Sequence, residues 1–334
     1  MARLTVVLTC PAGFERVVAE IAERELSKFE VSQLDSGYIG ATTSAAVGQL
    51  RAFPCATNVF HVVATVPRRT LTADLQQLSR MLGTTTRPER LPQHGTFRLR
   101  IHDDGRFAPH DSAHARQLQI DISDWSGLRP ARGAARTEFW VIRRRGHADS
   151  LLSTKLTAGN ARVPAGVLRP EVCATLARIV PLDDASLVID PFAGSGAIGI
   201  ACLEAGAERV WLNDPNPAAL HGLRVLPRSR RERIDATSLD FHDLDVDAAS
   251  VSAIVTDPPW GHYDDLDTSV ASLYADLTNF AVDALVTGGP LVVLTGGGAE
   301  AIQSLTTRKE LVLANSFPVL INGRKAQIVV ATRA

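Results

Sequence analysis

The apolar positions of the first 66 residues fall into short helical and strand-like patterns. LTVVLT (residues 4–9) reads as a buried strand, and Phe14, Val17, Val18, Ile21 and Leu26 recur at the spacing of one helix face. Residues 37–41 and 59–66 read as strands around a short Ala-rich helix, which makes 1–66 a small α+β sandwich. A second unit is expected over 67–147. There 71–82 is an amphipathic helix, Phe97, Leu99 and Ile101 alternate with Arg98, Arg100 and His102 as in a half-buried strand, 114–125 is a helix, and EFWVIRRR (138–145) is another strand. Residues 148–168, rich in Gly, Ala, Thr and Pro, read as a linker.

From 169 onward the pattern changes. The runs SLVID, RVWLND, SAIVTD and PLVVL each end in a loop with Gly, Pro or Asp, and helical stretches lie between them. Continuous apolar strands alternating with helices predict a mostly parallel sheet covered on both faces, a Rossmann-like α/β fold. Gly296-Gly297-Gly298 after PLVVLT reads as a flexible loop, and Asn322-Gly323 between SFPVLI and KAQIVVAT predicts a C-terminal antiparallel hairpin. In such sheets ligands sit outside the carboxyl ends of the strands, so the residues that end each strand carry the functional expectation.

Composition limits the alternatives. The chain has 334 residues, 45% hydrophobic and 21% charged, which excludes disordered, collagen-like and coiled-coil classes. No apolar run approaches the ~18 residues of a membrane span, and LTVVLTC lacks the flanks of a secretory signal. Cys10, Cys55, Cys173 and Cys202 are scattered without a CxxC pair, so neither a zinc site nor a disulfide framework is expected, and a reducing cytoplasm fits. The net charge is −1, but residues 1–165 carry 22 Lys+Arg against 15 Asp+Glu, and residues 166–334 carry 13 against 21. The halves are therefore +7 and −8, a basic half joined to an acidic one, which points to a polyanionic partner for the first.

Four strand ends carry candidate chemistry. Asp190-Pro191-Phe192-Ala193-Gly194-Ser195-Gly196 follows a strand and opens a helix; glycines allow close backbone approach, and the helix N-terminus favours a carboxylate or phosphate. Asp214 ends the next strand, where an acid holds the hydroxyls of a ribose. Asp240, followed by Phe241, is placed to accept from an adenine amino group while the aromatic packs on the ring. Asp257-Pro258-Pro259-Trp260 is the most specific signal. Its prolines stop a buried strand, the Asp257 carboxylate and the Pro258 carbonyl can accept both hydrogens of an exocyclic amine, and the flat indole can stack on the ring bearing it.

VIDPFAGSGAIGIAC, Asp214, Asp240 and VTDPPWG resemble class I S-adenosylmethionine-dependent amino-methyltransferases, and most of all the THUMP-domain RNA methyltransferases that form N2-methylguanosine in tRNA. Leu168-Arg169-Pro170-Glu171 resembles their lead-in segment, and FPVLINGRKAQIVVAT their C-terminal hairpin. The resemblance implies that Asp190, Phe192, Gly194, Ser195, Gly196, Asp214, Asp240 and Phe241 bind S-adenosyl-L-methionine. It also implies that Asp257, Pro258, Pro259 and Trp260 hold the target base, and that no metal is needed. Residues 1–66 would be a ferredoxin-like unit, and residues 67–147 would be THUMP-like and bind RNA, with Arg98, Arg100, Arg129, Arg132, Arg136, Arg143, Arg144 and Arg145 as candidate contacts. The usual family residue at Trp260 is Tyr or Phe, and Asp-Pro-Pro-Trp is also familiar from adenine-N6 methyltransferases of RNA, where it precedes the glycine loop instead of following it. Three alternatives stay open at the sequence level: an adenine-N6 or ribosomal-RNA enzyme, a protein glutamine methyltransferase, and a non-catalytic RNA-binding scaffold.

Overall fold

In the computed structural model, residues 3–88, 91–109, 112–158, 167–261 and 269–334 are described. Among them the chain forms two sheets. The first is built from β1 (Leu4–Thr9), α1 (Glu15–Glu25), β2 (Glu30–Asp35), β3 (Tyr38–Thr43), α2 (Val47–Ala52) and β4 (Asn58–Pro67), then from α3 (Leu71–Leu82), β5 (Thr96–Asp103), β6 (Arg106–Phe107), α4 (Ala113–Ser126), β7 (Arg129–Pro130), β8 (Thr137–Arg143) and β9 (Asp149–Lys155). Its strand order is β2-β3-β1-β4-β9-β8-β5-β6, with β7 alongside β5. The helices start where hydroxyls can satisfy orphan amides: Thr70 caps α3 and Ser112 caps α4, which ends on Gly127 at φ 73°.

The first seven residues of the expected linker after Ala148 are in fact strand β9, which pairs antiparallel with both β4 and β8. Much of its buried face is made of small polar residues, Ser150, Ser153 and Thr154, of which Ser150 donates to Asp74 at 2.6 Å, so no apolar pattern marked it. Residues 159–166 of that linker lie outside the described set. β9 also joins the two N-terminal units into one sheet while their cores stay separate. Leu75, Leu78, Phe97, Leu118 and Phe139 form one cluster, and Leu8, Phe14, Val17 and Ile39 belong to another.

The second sheet comes from α5 (Pro170–Leu176), β10 (Leu187–Asp190), α6 (Ala197–Glu204), β11 (Arg209–Asn213), α7 (Arg228–Arg231), β12 (Ile234–Thr237), β13 (Ala253–Thr256), α8 (Val270–Ala284), β14 (Pro290–Thr295), α9 (Gly298–Leu305), β15 (Leu311–Ile321) and β16 (Arg324–Arg333). Its order is β12-β11-β10-β13-β14-β16-β15, parallel except at β16 and β15. The order reverses between β10 and β13, the switch point at which an open sheet leaves a crevice. Asn322 and Gly323 turn the hairpin with φ 51° and 82°, the left-handed pair that a two-residue turn requires. Gly297 and Gly298, expected as part of a flexible loop, instead lead into α9.

The N-terminal unit is docked on the second half. Leu8, Phe14 and Val17 share one contiguous core with Val172, Phe317, Val319 and Ile328. Leu320 N–H donates to Ala12 C=O at 2.9 Å, and Thr57 Oγ1 donates to the buried Glu171 at 2.9 Å. Gly13, at φ 89°, lies so close to the hairpin that a Cβ there would come within 2.5 Å of the Pro318 carbonyl oxygen.

Candidate active site

The crevice is built from the ends of β10, β11, β13 and β14. Asp190 closes β10 and is 1% exposed. Its Oδ1 accepts from Thr256 Oγ1 at 2.7 Å and from the Phe192 amide at 3.3 Å, while its buried Oδ2 has no partner. Burial pushes this carboxyl up to about 7 against those two donors, and the Asp214 charge adds to the rise. An orphaned buried carboxylate oxygen is costly unless a ligand supplies a donor or a cation.

The glycine loop follows directly. Ala193 N–H donates to Asn213 C=O at 2.8 Å, and Gly194 N–H to Asp214 Oδ2 at 2.8 Å, which ties the loop to the end of β11. Gly194 and Gly196 have φ 51° and 78°, and a Cβ on Gly196 would meet Leu223 and Leu212 within about 3 Å. Ser195 is exposed at the turn before α6. Asp214 also accepts the Asn216 amide at 2.9 Å, so its carboxylate is oriented before any ligand arrives. Behind it, fully buried Asn213 accepts from the Thr237 hydroxyl and the Leu239 amide and donates to Pro191 C=O, knitting three strand ends together.

At the third strand end Asp240 is 65% exposed and accepts from the His242 amide at 2.9 Å and from its ring at 2.8 Å. Those bonds hold Asp240 below the usual carboxylate range, and Asp240 and Asp276 on either side of His242 raise the imidazole. Phe241 departs from expectation. It is 7% exposed and packs on Phe192 at 4.9 Å and Phe280 at 5.5 Å, so its ring belongs to the core under α8 and supports Phe192 instead of presenting a face to a ligand.

Asp257-Pro258-Pro259-Trp260 leaves β13 beside Asp190, linked to it through Thr256. Pro258 is buried, and the Trp260 indole N–H donates to Asp257 Oδ1 at 2.8 Å. Asp190 and Asp257 both lie close enough to Cys173 to reinforce the burial that pushes its thiol up to about 12. Thr256, Asn213, His242 and Asp276 were absent from the sequence expectations. Each of the first two stands immediately before a strand-end acid, and that adjacency was the available signal.

The arginines divide into two groups. Arg143 is 4% exposed and bonds Asp74 at 2.8 Å, Asp103 at 2.6 Å and Arg69 C=O, so it is a core ion pair and no RNA contact. Arg144 is committed to Asp35 and Ser36 C=O and stands over Tyr38, while Arg100 pairs with Glu138 at 3.7 Å over the Phe107 ring. Arg145 is 90% exposed, near Asp104 at 3.9 Å. Arg129, Arg132 and Arg136 are exposed on one stretch beside β5, Arg98 is half-buried, and none of these four has an ion pair among the described residues. Also among the described residues, no three His, Cys, Asp or Glu side chains group as a metal site, and no helix is long and apolar enough to cross a membrane.

Residues 229–327, which include Asp240, Asp257 and Trp260, match the family model described as RMKL-like, methyltransferase domain. This stretch of the second half is thus similar to a methyltransferase domain. The whole chain is similar in fold to TrmN from Thermus thermophilus, with TM-score 0.77 at 21% identity over 99% of this chain and 100% of that one. A predicted N6-adenine-specific DNA methylase from Listeria monocytogenes superposes with TM-score 0.72 at 14% identity over 100% and 97% of the two chains. SMU.472, a putative methyltransferase complexed with SAH, gives 0.70 at 13% identity over 100% and 99%. No curated protein matches the sequence. These three solved structures match over nearly the full length of both chains, so the two sheets form one recurring arrangement.

Proposed function

We propose that this protein methylates the exocyclic amine of a base in RNA, with N2 of guanosine in tRNA as the favoured target. The cofactor is S-adenosylmethionine. The residues present fit it: the orphaned Asp190 Oδ2 offers an acceptor for an ammonium, the Gly194–Gly196 turn offers a side-chain-free approach, and Asp214 offers a preoriented carboxylate for ribose hydroxyls. When bound, it supplies a methyl group on a sulfonium, whose carbon–sulfur bond breaks as the new nitrogen–carbon bond forms.

The observation that carries the amine reading is the Asp257 carboxylate, fixed at the mouth of β13 and tied through Thr256 to the cofactor acid Asp190. An exocyclic amine has its lone pair delocalised into the ring. Accepting both of its hydrogens, at Asp257 and at the Pro258 carbonyl, holds the nitrogen so that the lone pair faces the methyl carbon. The methylated nitrogen then sheds a proton to water, so no strong base is required. Orientation and fixed negative charge are the contributions of this chain. RNA contact falls to the exposed arginines at 129, 132 and 136 and to the half-buried Arg98.

Asp257→Ala is expected to lower methyl transfer about 10²–10³-fold, the scale set by removal of one group that hydrogen-bonds in the transition state, while cofactor binding stays within a few-fold. Labelled cofactor incubated with total RNA, followed by nucleoside analysis, reads both rate and product. N2-methylguanosine supports the favoured target, and N6-methyladenosine replaces it with the adenine reading. Undiminished turnover by Asp257→Ala overturns the mechanism.

A further inference from the structure

Trp260 stands where its own indole touches two residues that end adjacent strands. Its edge donates to Asp257 Oδ1 at 2.8 Å. Its six-membered ring lies against Gly296, one residue beyond β14, so closely that a Cβ at 296 would come within 2.1 Å of Cε3, 2.5 Å of Cδ2 and 2.8 Å of Cζ3. Thr256 pairs with Val293, so the two loops leave the sheet side by side. Gly296 has no positive φ, and its lack of a side chain is therefore explained by this contact and not by backbone conformation. The rest of the ring is partly buried against the core that the two halves share.

We infer that Trp260 is a positioning residue for Asp257, and that Gly296 is the bare shelf that holds the indole in place to do it. This rests on the reading of Asp257 as acceptor of the target amine. A carboxylate on a loop can rotate about two side-chain bonds, and a charge-assisted N–H bond to one oxygen removes that freedom and favours the ionised form. Phenylalanine would keep an aromatic face at this place without any donor. Tyrosine would carry its hydroxyl at the far end of the ring, away from where the indole nitrogen sits. The extra N–H of tryptophan thus has a role that stacking alone does not require. The bicyclic face also offers a purine more overlap than a single ring would, in keeping with a guanine or adenine target.

The test uses the full-length protein, with Trp260→Phe and Gly296→Ala measured beside Asp257→Ala. Trp260→Phe should reduce kcat about 10-fold or more, equivalent to ~1.4 kcal/mol, with KM for RNA and cofactor affinity changed less than about threefold. The acid limb of its kcat–pH profile should move to higher pH, because Asp257 loses the donor that favours its charge. Gly296→Ala should reproduce both effects with Trp260 still present, since the added methyl drives the indole off its shelf. A Trp260→Phe variant that keeps kcat within twofold and an unmoved pH profile overturns the inference. If that variant fails to fold, as judged by lost cofactor binding, Gly296→Ala decides alone, and normal kcat in it is equally fatal. Retained turnover by Asp257→Ala would instead remove the underlying reading, so the two failures are distinguishable.

Discussion

Asp190 concentrates the chemistry of the site in one side chain. It is buried, it has one oxygen bonded to Thr256 and Phe192, and its neighbours Asp214, Asp257, Cys173 and Cys202 supply no positive charge. Its carboxyl titrates at about 7 in the folded chain against 3.8 ordinarily. Between those values the native state keeps a proton that the unfolded state has released, so this group lowers stability as pH rises through that window and has no further effect above it. The thermal midpoint of Asp190→Asn should therefore exceed that of the parent increasingly from pH 4 to pH 7, with a constant difference above. Binding of a cationic ligand group favours the ionised form, so cofactor affinity in the parent should rise with pH by up to about tenfold per unit below 7 and then level off. Calorimetric titration across pH 5.5–8.5 checks this, and a flat profile refutes it. The strand-end acids were legible in sequence because parallel strands must end somewhere, and Asp190, Asp214 and Asp257 end three of them. Phe241 and Arg143 misled because an aromatic beside an acid, or an arginine in a basic run, looks the same whether it faces solvent or a buried partner such as Asp74.

At the level of elements, the parallel strands β10, β11, β13 and β14 and the final hairpin were readable from apolar runs and from Asn322-Gly323. β2 and β9 were not. The edge strand EVSQLD is largely exposed, and DSLLSTK buries Ser150, Ser153 and Thr154, so neither carries the alternation that marks a strand. Docking between elements was also beyond sequence, because Gly13 resembles any turn glycine until Pro318 is placed against it. That close approach makes a prediction. Gly13→Ala combines a positive φ with a clash against backbone, so it should cost more than about 1 kcal/mol. Because Leu8, Phe14 and Val17 share a core with Val319 and Ile328, the destabilisation should appear in a single unfolding transition of the whole chain. Calorimetry that shows an unchanged midpoint, or an early separate melt of the N-terminal unit, would contradict the shared core.

For the whole molecule, the split of charge into +7 and −8 maps onto two sheets with different tasks in the proposed reading. Replacing Arg129, Arg132 and Arg136 together with Ala should leave cofactor affinity and thermal midpoint unchanged, because none has an ion pair among the described residues. It should flatten the dependence of log affinity for tRNA on log salt by about 2 to 3, at roughly 0.7–0.9 for each phosphate that an arginine no longer neutralises. Fluorescence anisotropy over a salt series measures the slope, and an unaltered slope places the RNA elsewhere. The continuity of the first sheet gives this arrangement a geometric meaning. From β5, beside which Arg129 sits, the hydrogen-bonded path runs through β8, β9 and β4 to β1, whose unit is docked on the second half. Four strand spacings of about 4.8 Å make roughly 19 Å of continuously hydrogen-bonded spacer along that path. Such a spacer acts as a ruler. In the proposed reading, an RNA held at its far edge would offer to Asp257 only nucleotides at one distance from the grip, so the choice of position along the RNA would be made by the length of a β-sheet and the choice of base by the pocket.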